Sequence, residues 1–551
     1  MPSFRRLPFI SILAITLLPG AAAMAQGDNT RPPAHLTEGV ITVSGDSVDR
    51  LRLAQLDGAA PPDGLMLRST SSLSDPRRYG MAPRPFTIVF PYINFVTNTN
   101  LPFGQNDGAL WSGVGANVRV MGGFTGTFGP VRIVAIPELV YSANNRLPIN
   151  PIDTLFAPKI PASRSPFSSP FNIYPYSIDL PYRFGASSVT RVYPGQSSIT
   201  VTAGPVEVGA ATENEWWGPA MRNPLVLGDN APGFPHAFIR TTGGLNGPLG
   251  NFDARYIVGG LHESDYFDNN ITNDVRSISA FAVAWRPARE SQFTLGLTRA
   301  VIAPATGYSD VPSAFFDAFK GVGHPDARAL KDTAFIPGPD QLLSVFGRWA
   351  IPHYGLETYV EWVRADLPRS LRDLFEEPNN SRGYTAGLQW TRANAARTSR
   401  FRIQAEVTSV EQSSTFRFRP IGSIYTSRSV PQGFTNEGQV LGAGIGPGSS
   451  GGFGAMDYFH GGWQFGLTFG RTRFNNDAFF LQPYASRCGH DATVYPGARG
   501  SFSNKYVRLG VDVSHDSRYN TFFQNKSLDC TANASDHTNN QLSVTVATFG
   551  W

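Results

Sequence analysis

Several stretches of this 551-residue chain alternate apolar and polar residues with a strict period of two. Phe401, Ile403, Ala405 and Val407 interleave with Arg402, Gln404, Glu406 and Thr408. Trp463, Phe465, Leu467 and Phe469 interleave with Gln464, Gly466, Thr468 and Gly470, and Val507, Leu509, Val511 and Val513 with Arg508, Gly510 and Asp512. Phe293, Leu295 and Leu297 alternate with Thr294, Gly296 and Thr298. A β-strand sends successive side chains to opposite faces, so each stretch carries one apolar, aromatic face and one polar face. A soluble β-sandwich and a transmembrane barrel share this pattern; their connections differ.

Outer-membrane barrels join strands by short turns at the periplasmic end and long loops outside. Short turns are expected near Phe128-Gly129-Pro130, Tyr193-Pro194-Gly195, 286–289, 351–355, 472–476 and 514–517. Long segments lie near 142–181, 211–234, 301–340, 365–381, 412–462, 486–503 and 527–539. This parity predicts about eighteen strands, near 86, 115, 132, 183, 198, 235, 251, 276, 292, 341, 356, 383, 401, 463, 478, 504, 519 and 541, with room for another hairpin in 412–462. The expected fold is all-β: a transmembrane antiparallel barrel, with a short helical N-terminal, periplasmic segment and lumen-filling loops.

Composition narrows the alternatives. Charged residues are only 16%, while Gly (56) and Pro (43) are abundant and aromatics reach 12%, which argues against disorder. The basic residues are scattered, nearly all Arg, and the net charge is +4, so no nucleic-acid partner is expected. After residue 25 no apolar run approaches the 18 residues that suggest a spanning helix. The nine His show no HExxH spacing, and no Gly-x-Ser-x-Gly elbow occurs, so neither metal nor cofactor is expected.

The chain divides into three parts. Residues 1–25 read as a signal peptide, with Arg5 and Arg6, an apolar run from Leu7 to Leu18, and Ala23-Met24-Ala25 as cleavage site. Residues 26–84 read as a helical, periplasmic segment: Asp46-Ser47 before Val48, Leu51, Leu53 and Leu56, with Gly58 as stop, marks a short capped helix. Residues 85–551 read as the barrel. The last stretch, Val544 to Trp551, resembles the terminal strand by which the barrel assembly machinery recognises outer-membrane proteins, although Ser543 and Thr545 are polar in the register of Trp551. Cys488 and Cys530 fall in long loops on the same side and are a candidate disulfide.

One segment departs from ordinary strand and turn. Glu213-Asn214-Glu215-Trp216-Trp217-Gly218-Pro219 is followed by Arg222-Asn223-Pro224, then Asn230-Ala231-Pro232-Gly233-Phe234-Pro235-His236. Glu213, Asn214, Glu215, Trp216, Trp217, Arg222, Asn230 and His236 are therefore candidate carbohydrate-binding residues, because indole faces stack on pyranose rings while carboxylates and amides bond hydroxyls. The competing reading is a loop that fills the lumen, with Trp packed inside and polar groups satisfying backbone. The two readings weigh equally on these residues.

These blocks resemble the signature of the bacterial capsule assembly Wzi family. The resemblance extends to Leu101-Pro102-Phe103-Gly104-Gln105-Asn106-Asp107-Gly108 with Trp111, to Asp179-Leu180-Pro181-Tyr182-Arg183-Phe184-Gly185, to Glu361-Trp362-Val363-Arg364-Ala365-Asp366 with Arg372-Asp373-Leu374 and Glu377-Pro378, and to Gly438-Gln439-Val440-Leu441-Gly442 with Gly446-Pro447-Gly448. It implies an eighteen-stranded outer-membrane barrel with helical pieces closing its periplasmic end. It also implies a lectin-like, non-catalytic role: binding exported polysaccharide and anchoring or assembling capsule at the cell surface. The implied partners are surface or capsular polysaccharide, outer-membrane lipid and the barrel assembly machinery.

Two other functions are weighed. An eighteen-stranded barrel is wide enough for a porin-like channel, but the surplus of non-strand chain is expected to block it. A glycoside hydrolase would need a carboxylate pair such as Glu361 with Asp366, or Glu213 with Glu215. Glu361 shares a lumen-facing register with Glu357, and Arg364 and Arg372 nearby point to a structural ion-pair network.

Overall fold

The computed structural model describes residues 42–549 except 59, 61–64, 80, 150–163, 170–175, 323–337, 366–369, 418–420, 482–488 and 525–534. The expected signal peptide, Trp551 and both cysteines of the candidate disulfide lie outside the described residues.

Among the described residues, eighteen antiparallel staves close into one barrel. The first, Phe86–Asn98, pairs on one side with Gly115–Phe128 and on the other with the last, His537–Thr548. Closure leaves no edge with unpaired backbone groups, the condition for crossing a bilayer with strands. Two neighbouring staves are each broken by a proline that has no N–H to give the ladder. Val131–Ala135 and Glu138–Ser142 flank Pro137; Val189–Tyr193 and Ser198–Ala203 flank Pro194. Tyr193-Pro194-Gly195, expected as a turn, is this kink, and Gly195 takes φ +63° there.

The alternating stretches sort as expected. Phe465, Leu467 and Phe469 stand 57%, 68% and 55% exposed on the outer wall, while Arg402, Gln404, Glu406 and Thr408 are buried inside. Leu509, Val511 and Val513 also face outward. Ser543 and Thr545 line an internal cavity, so their register in the last stave is the lumenal one.

The strand count agrees with expectation, but several positions do not. The strand expected near 478 is the helix Asn476–Leu481, and the stave lies at Asp491–Ser503. Residues 472–476 and 514–517 are not short turns: Trp463–Phe474 ends there at a long connection, and 514–517 sit within Val507–Tyr519. Ser450–His460 and Val206–Ala211 are additional staves, while the two strands expected near 183 and 198 are one kinked stave that begins at Val189, residue 183 lying in the bend before it. With these corrections the segregation by length is cleaner: 129–130, 204–205, 248–249, 288–292, 352–355, 394–398, 461–462 and 504–506 are all short, and the connections between them long.

The helix Asp46–Leu56 lies across the short-turn end. Gly45 occupies its N-cap without a side-chain cap, so Asp46 belongs to the first turn instead. Asp46 pairs with Arg508 (2.9 Å), Asp49 with Arg402 (2.6 Å) and Asp57 with Arg400. Arg52 reaches Glu357 at 2.6 Å, and Gln55 accepts from Arg348 at 2.8 Å. Each partner belongs to a stave near its short-turn end, so the helix is pinned as a plug. A continuous apolar core runs from this helix through Leu65–Leu67 and Trp217 to Leu225–Leu227 and the inner faces of several staves.

Candidate functional site

The segment around Trp216 is built as architecture. Glu215–Trp217 pairs antiparallel with Leu67–Ser69 in a small sheet inside the barrel. Trp216 and Trp217 are 0% exposed, so neither ring is open to a sugar. The Arg68 guanidinium caps the Trp216 ring at 4.4 Å, and Trp217 donates from Nε1 to Glu215 at 3.0 Å. Arg255 binds the same carboxylate at 2.5 Å. Glu213 accepts from the backbone N–H and hydroxyl of Ser71, both at 2.6 Å. Asn214 exchanges two hydrogen bonds with Gln196. His236 is buried, donates from Nδ1 to the Phe234 carbonyl at 2.8 Å, and turns Nε2 toward Glu215 at 3.8 Å.

Arg222 and Asn230 are placed differently. They border a cavity of about 280 Å³ that faces the long-loop end. Asn230 ties together two blocks that are distant in sequence: its Oδ1 accepts from the Asn106 N–H at 2.8 Å, and its Nδ2 donates to the Gly442 carbonyl at 2.8 Å. Glu406 holds the turn that presents Arg222, accepting from the backbone N–H groups of Met221 (2.7 Å), Arg222 (3.1 Å) and Asn223 (2.9 Å). The Arg222 guanidinium then lies 3.9 Å over the ring of Phe453 and donates to Gln105.

The walls of this vestibule are aromatic and amide-rich. Phe103, Trp111, Tyr182, Phe453 and Phe474 are half-buried there, with Tyr495 behind. Asn106, Asn223, Gln439 and Asn475 supply amides, and Arg518, held by Asp491 at 2.6 Å, a cation. Trp111 Nε1 and Asn106 Oδ1 are buried and have no hydrogen-bond partner among the described residues. Both atoms are closed off from the cavity, so what the vestibule offers a ligand is its ring faces, amides and guanidinium groups.

Below the vestibule a second cavity of about 340 Å³ reaches the N-terminal helix. Gln105, Asn106, Asp107, Arg222 and Phe453 border both, and so form a septum across the lumen. Asp229, in the loop under this septum, accepts from Ser44 at 2.6 Å, and burial raises its carboxyl to about 7.

The other sequence candidates are occupied. Glu361 is 0% exposed, accepts from Ser344 (3.0 Å) and the Leu225 N–H (3.3 Å), and packs on Gly218; Asp366 lies outside the described residues. Arg372 is not near that lumen: it makes an exposed pair with Glu376 in a long loop. Phe453, Phe474, Tyr495 and Arg518 were not singled out from sequence, because each sits on a different stave and no local spacing unites them.

A family model described as capsule assembly protein Wzi matches residues 103–541. The chain belongs to the Wzi family. No curated protein sequence matches the chain. Among solved structures, the chain is similar to Wzi of Escherichia coli, an outer-membrane, carbohydrate-binding β-barrel involved in group 1 capsule assembly, at 12% identity and TM-score 0.53, covering 96% of this chain and 98% of that one. OccK2 of Pseudomonas aeruginosa, solved with glucuronate, matches at 11% identity and TM-score 0.38, over 84% of this chain and 97% of that one. OccAB4 of Acinetobacter baumannii matches at 8% identity and TM-score 0.37, over 85% and 98%. Parts of four of the blocks read from sequence meet at the vestibule: 102–107, 180–182, Asn230, and 438–440 with Gly446 and Pro447; the blocks at 213–219 and 361–378 do not border it. Family membership, the closed barrel and its apolar outer wall identify this Wzi family member as an outer-membrane protein.

Proposed function

We propose that this barrel binds exported surface polysaccharide at its outer vestibule and helps anchor or assemble capsule at the cell surface, without catalysis. The observation that carries the reading is the vestibule: half-buried aromatic rings, several amides and two arginines, above a lumen crossed by a septum and a pinned helix. Rings present stacking surfaces to pyranoses while amides and guanidinium groups bond hydroxyls and acidic substituents. The carboxylates that could have served hydrolysis, Glu213, Glu215 and Glu361, are each fully buried and bonded to protein groups, which supports a binding role. Insertion by the barrel assembly machinery follows from the outer-membrane address.

Deletion of the gene, with surface-polysaccharide staining of cells and of medium, tests the role. Polysaccharide made normally but released to the medium is expected, with retention restored by the wild-type gene and not by Trp111→Ala. Unchanged retention in the deletion strain would sink the anchoring role.

A further inference from the structure

The outer wall of the barrel carries a feature of its own. The long connection after Phe293–Pro304 includes a 3-10 helix, Tyr308–Phe319, that folds back over the exterior of the wall. Phe319 stacks on Phe281 (5.3 Å, 6°) and on Tyr256 (5.3 Å), both outward-facing residues. Outward polar groups clamp it. Arg299 is only 9% exposed and donates to the carbonyls of Ala318 (2.9 Å) and Lys320 (2.7 Å), steadied by Gln341 at 2.7 Å. Ser279 accepts from the Ala318 N–H at 3.1 Å. A bare arginine on a lipid-facing strand is destabilising; here the helix covers it. Gly260 makes room, since a Cβ there would stand 2.5 Å from the Tyr308 ring. Phe315, Phe316 and Phe319 remain 48%, 62% and 62% exposed.

Beside this helix the strand register cuts a trough. At one height, cross-strand neighbours run Ile133, Ile199, Ala210, Ala237, Val258. One row nearer the short turns they run Val131, Val201, Val208, Ile239, Tyr256. The upper row drops to two alanines where the lower row keeps large side chains. The floor is thus Ala210 and Ala237, one side is Ile199 with Ile133, the other is Tyr308, Val311 and Phe315, and the sill is Val208 with Ile239. The space is about 820 Å³ and its lining is mainly apolar, with Ser197, Ser198, Thr212, His236 and Tyr308 as the polar residues on it.

We propose that this trough holds an acyl chain of a lipid of the surrounding outer leaflet. The occupant follows from position and chemistry. The trough is continuous with the exposed apolar wall (Ile199 50%, Val208 45%, Ile239 44%). It opens at the long-loop edge, where head groups of that leaflet lie, and its lining is mainly apolar. A rigid side wall of aromatic helix, fixed by Arg299, gives a chain more packing contacts than a smooth barrel face does.

The test uses the full-length protein in vesicles of phosphatidylethanolamine and phosphatidylglycerol, doped with a phosphatidylethanolamine bearing a diazirine on its acyl chain. After irradiation, labelled peptides are mapped. Label in 206–211, 236–241 and 308–319 is expected to exceed that in the open stave Trp463–Phe474 by about threefold, the effect of a handful of added carbon contacts. Ala237→Trp, which fills the floor, removes the excess and leaves the reference stave unchanged. Ala210→Leu serves as a second filling variant, and heat-modifiable gel mobility reports that each variant has folded. Equal labelling around the wild-type barrel overturns the proposal whatever the variants do. So does a wild-type dimer, protected from label at the trough, that Ala237→Trp converts to monomer; the occupant would then be a second copy of the chain.

Discussion

Glu357 offers the sharpest test of how the plug is held. Its carboxylate is 0% exposed and accepts from Arg52 Nε at 2.7 Å, Arg348 Nε at 2.8 Å and Gln389 at 2.7 Å. Arg52 comes from the N-terminal helix; Arg348 and Gln389 come from the wall. Glu357→Ala leaves two guanidinium groups, on side chains 3% and 2% exposed, without their counter-charge. Breaking a buried pair on one side costs about 3–5 kcal/mol, far above the roughly 0–1 kcal/mol of a surface pair. Urea unfolding of protein refolded in vesicles, followed by heat-modifiable mobility, measures it. The triple variant Glu357→Leu, Arg52→Met, Arg348→Met removes all three charges together and is expected to recover most of the loss, because well-packed apolar groups replace a buried ion cluster at little cost. A loss below about 1 kcal/mol for Glu357→Ala would refute the reasoning. So would a triple variant no better than the single one.

Further outcomes follow from the same geometry. Asp229 is buried, with Ser44 bonded to it and Arg119, Glu138 and Asp107 around it, and its carboxyl is raised to about 7. The folded form therefore holds a proton that the unfolded chain releases near 4, so stability falls as pH rises from about 4 to about 7, by at most about 4 kcal/mol. Asp229→Asn is expected to flatten that slope, and an unchanged slope in urea titrations at several pH values would count against the assignment. Trp217→Ala empties a fully buried site and is expected to cost about 3–5 kcal/mol in the same unfolding assay, whereas Trp111→Ala, half-buried in the vestibule, is expected to leave stability nearly unchanged. In planar bilayers the wild-type protein is expected to give no large steady current, because the septum and the helix Asp46–Leu56 both cross the lumen; such a current would favour the channel reading.

The parts of the fold legible in sequence are those where lipid and lumen impose opposite chemistries on neighbouring residues. Trp463–Phe474 and Phe293–Pro304 announce themselves that way. Ser450–His460 escaped because glycines (Gly451, Gly452, Gly454) dilute its period. Asp491–Ser503 escaped because Pro496 and Gly497 interrupt its apolar period and leave a gap in its pairing with Val507–Tyr519. The kink at Pro194-Gly195 imitates a hairpin locally, since the same residues that turn a chain also bend a strand. In the site, sequence marked Glu213 to Trp217 as unusual but left two readings open, because stacking on sugar and packing in a plug use the same side chains. Burial decides for packing at Trp216 and Trp217. The vestibule aromatics, by contrast, are ordinary in sequence and acquire meaning only when distant staves and loops converge on one cavity.

Polysaccharide is expected to meet this barrel at the outer vestibule. The direct measurement is binding of the purified full-length protein to surface polysaccharide isolated from the same bacterium, by calorimetry, for wild type and for Trp111→Ala, with the polysaccharide sized before and after. Saturable wild-type binding is predicted, weakened in Trp111→Ala by about 1 kcal/mol, the scale of a lost stacking ring, with chain length unchanged. Equal binding by the two proteins would contradict the placement of the site, and shortened polysaccharide would contradict the non-catalytic role.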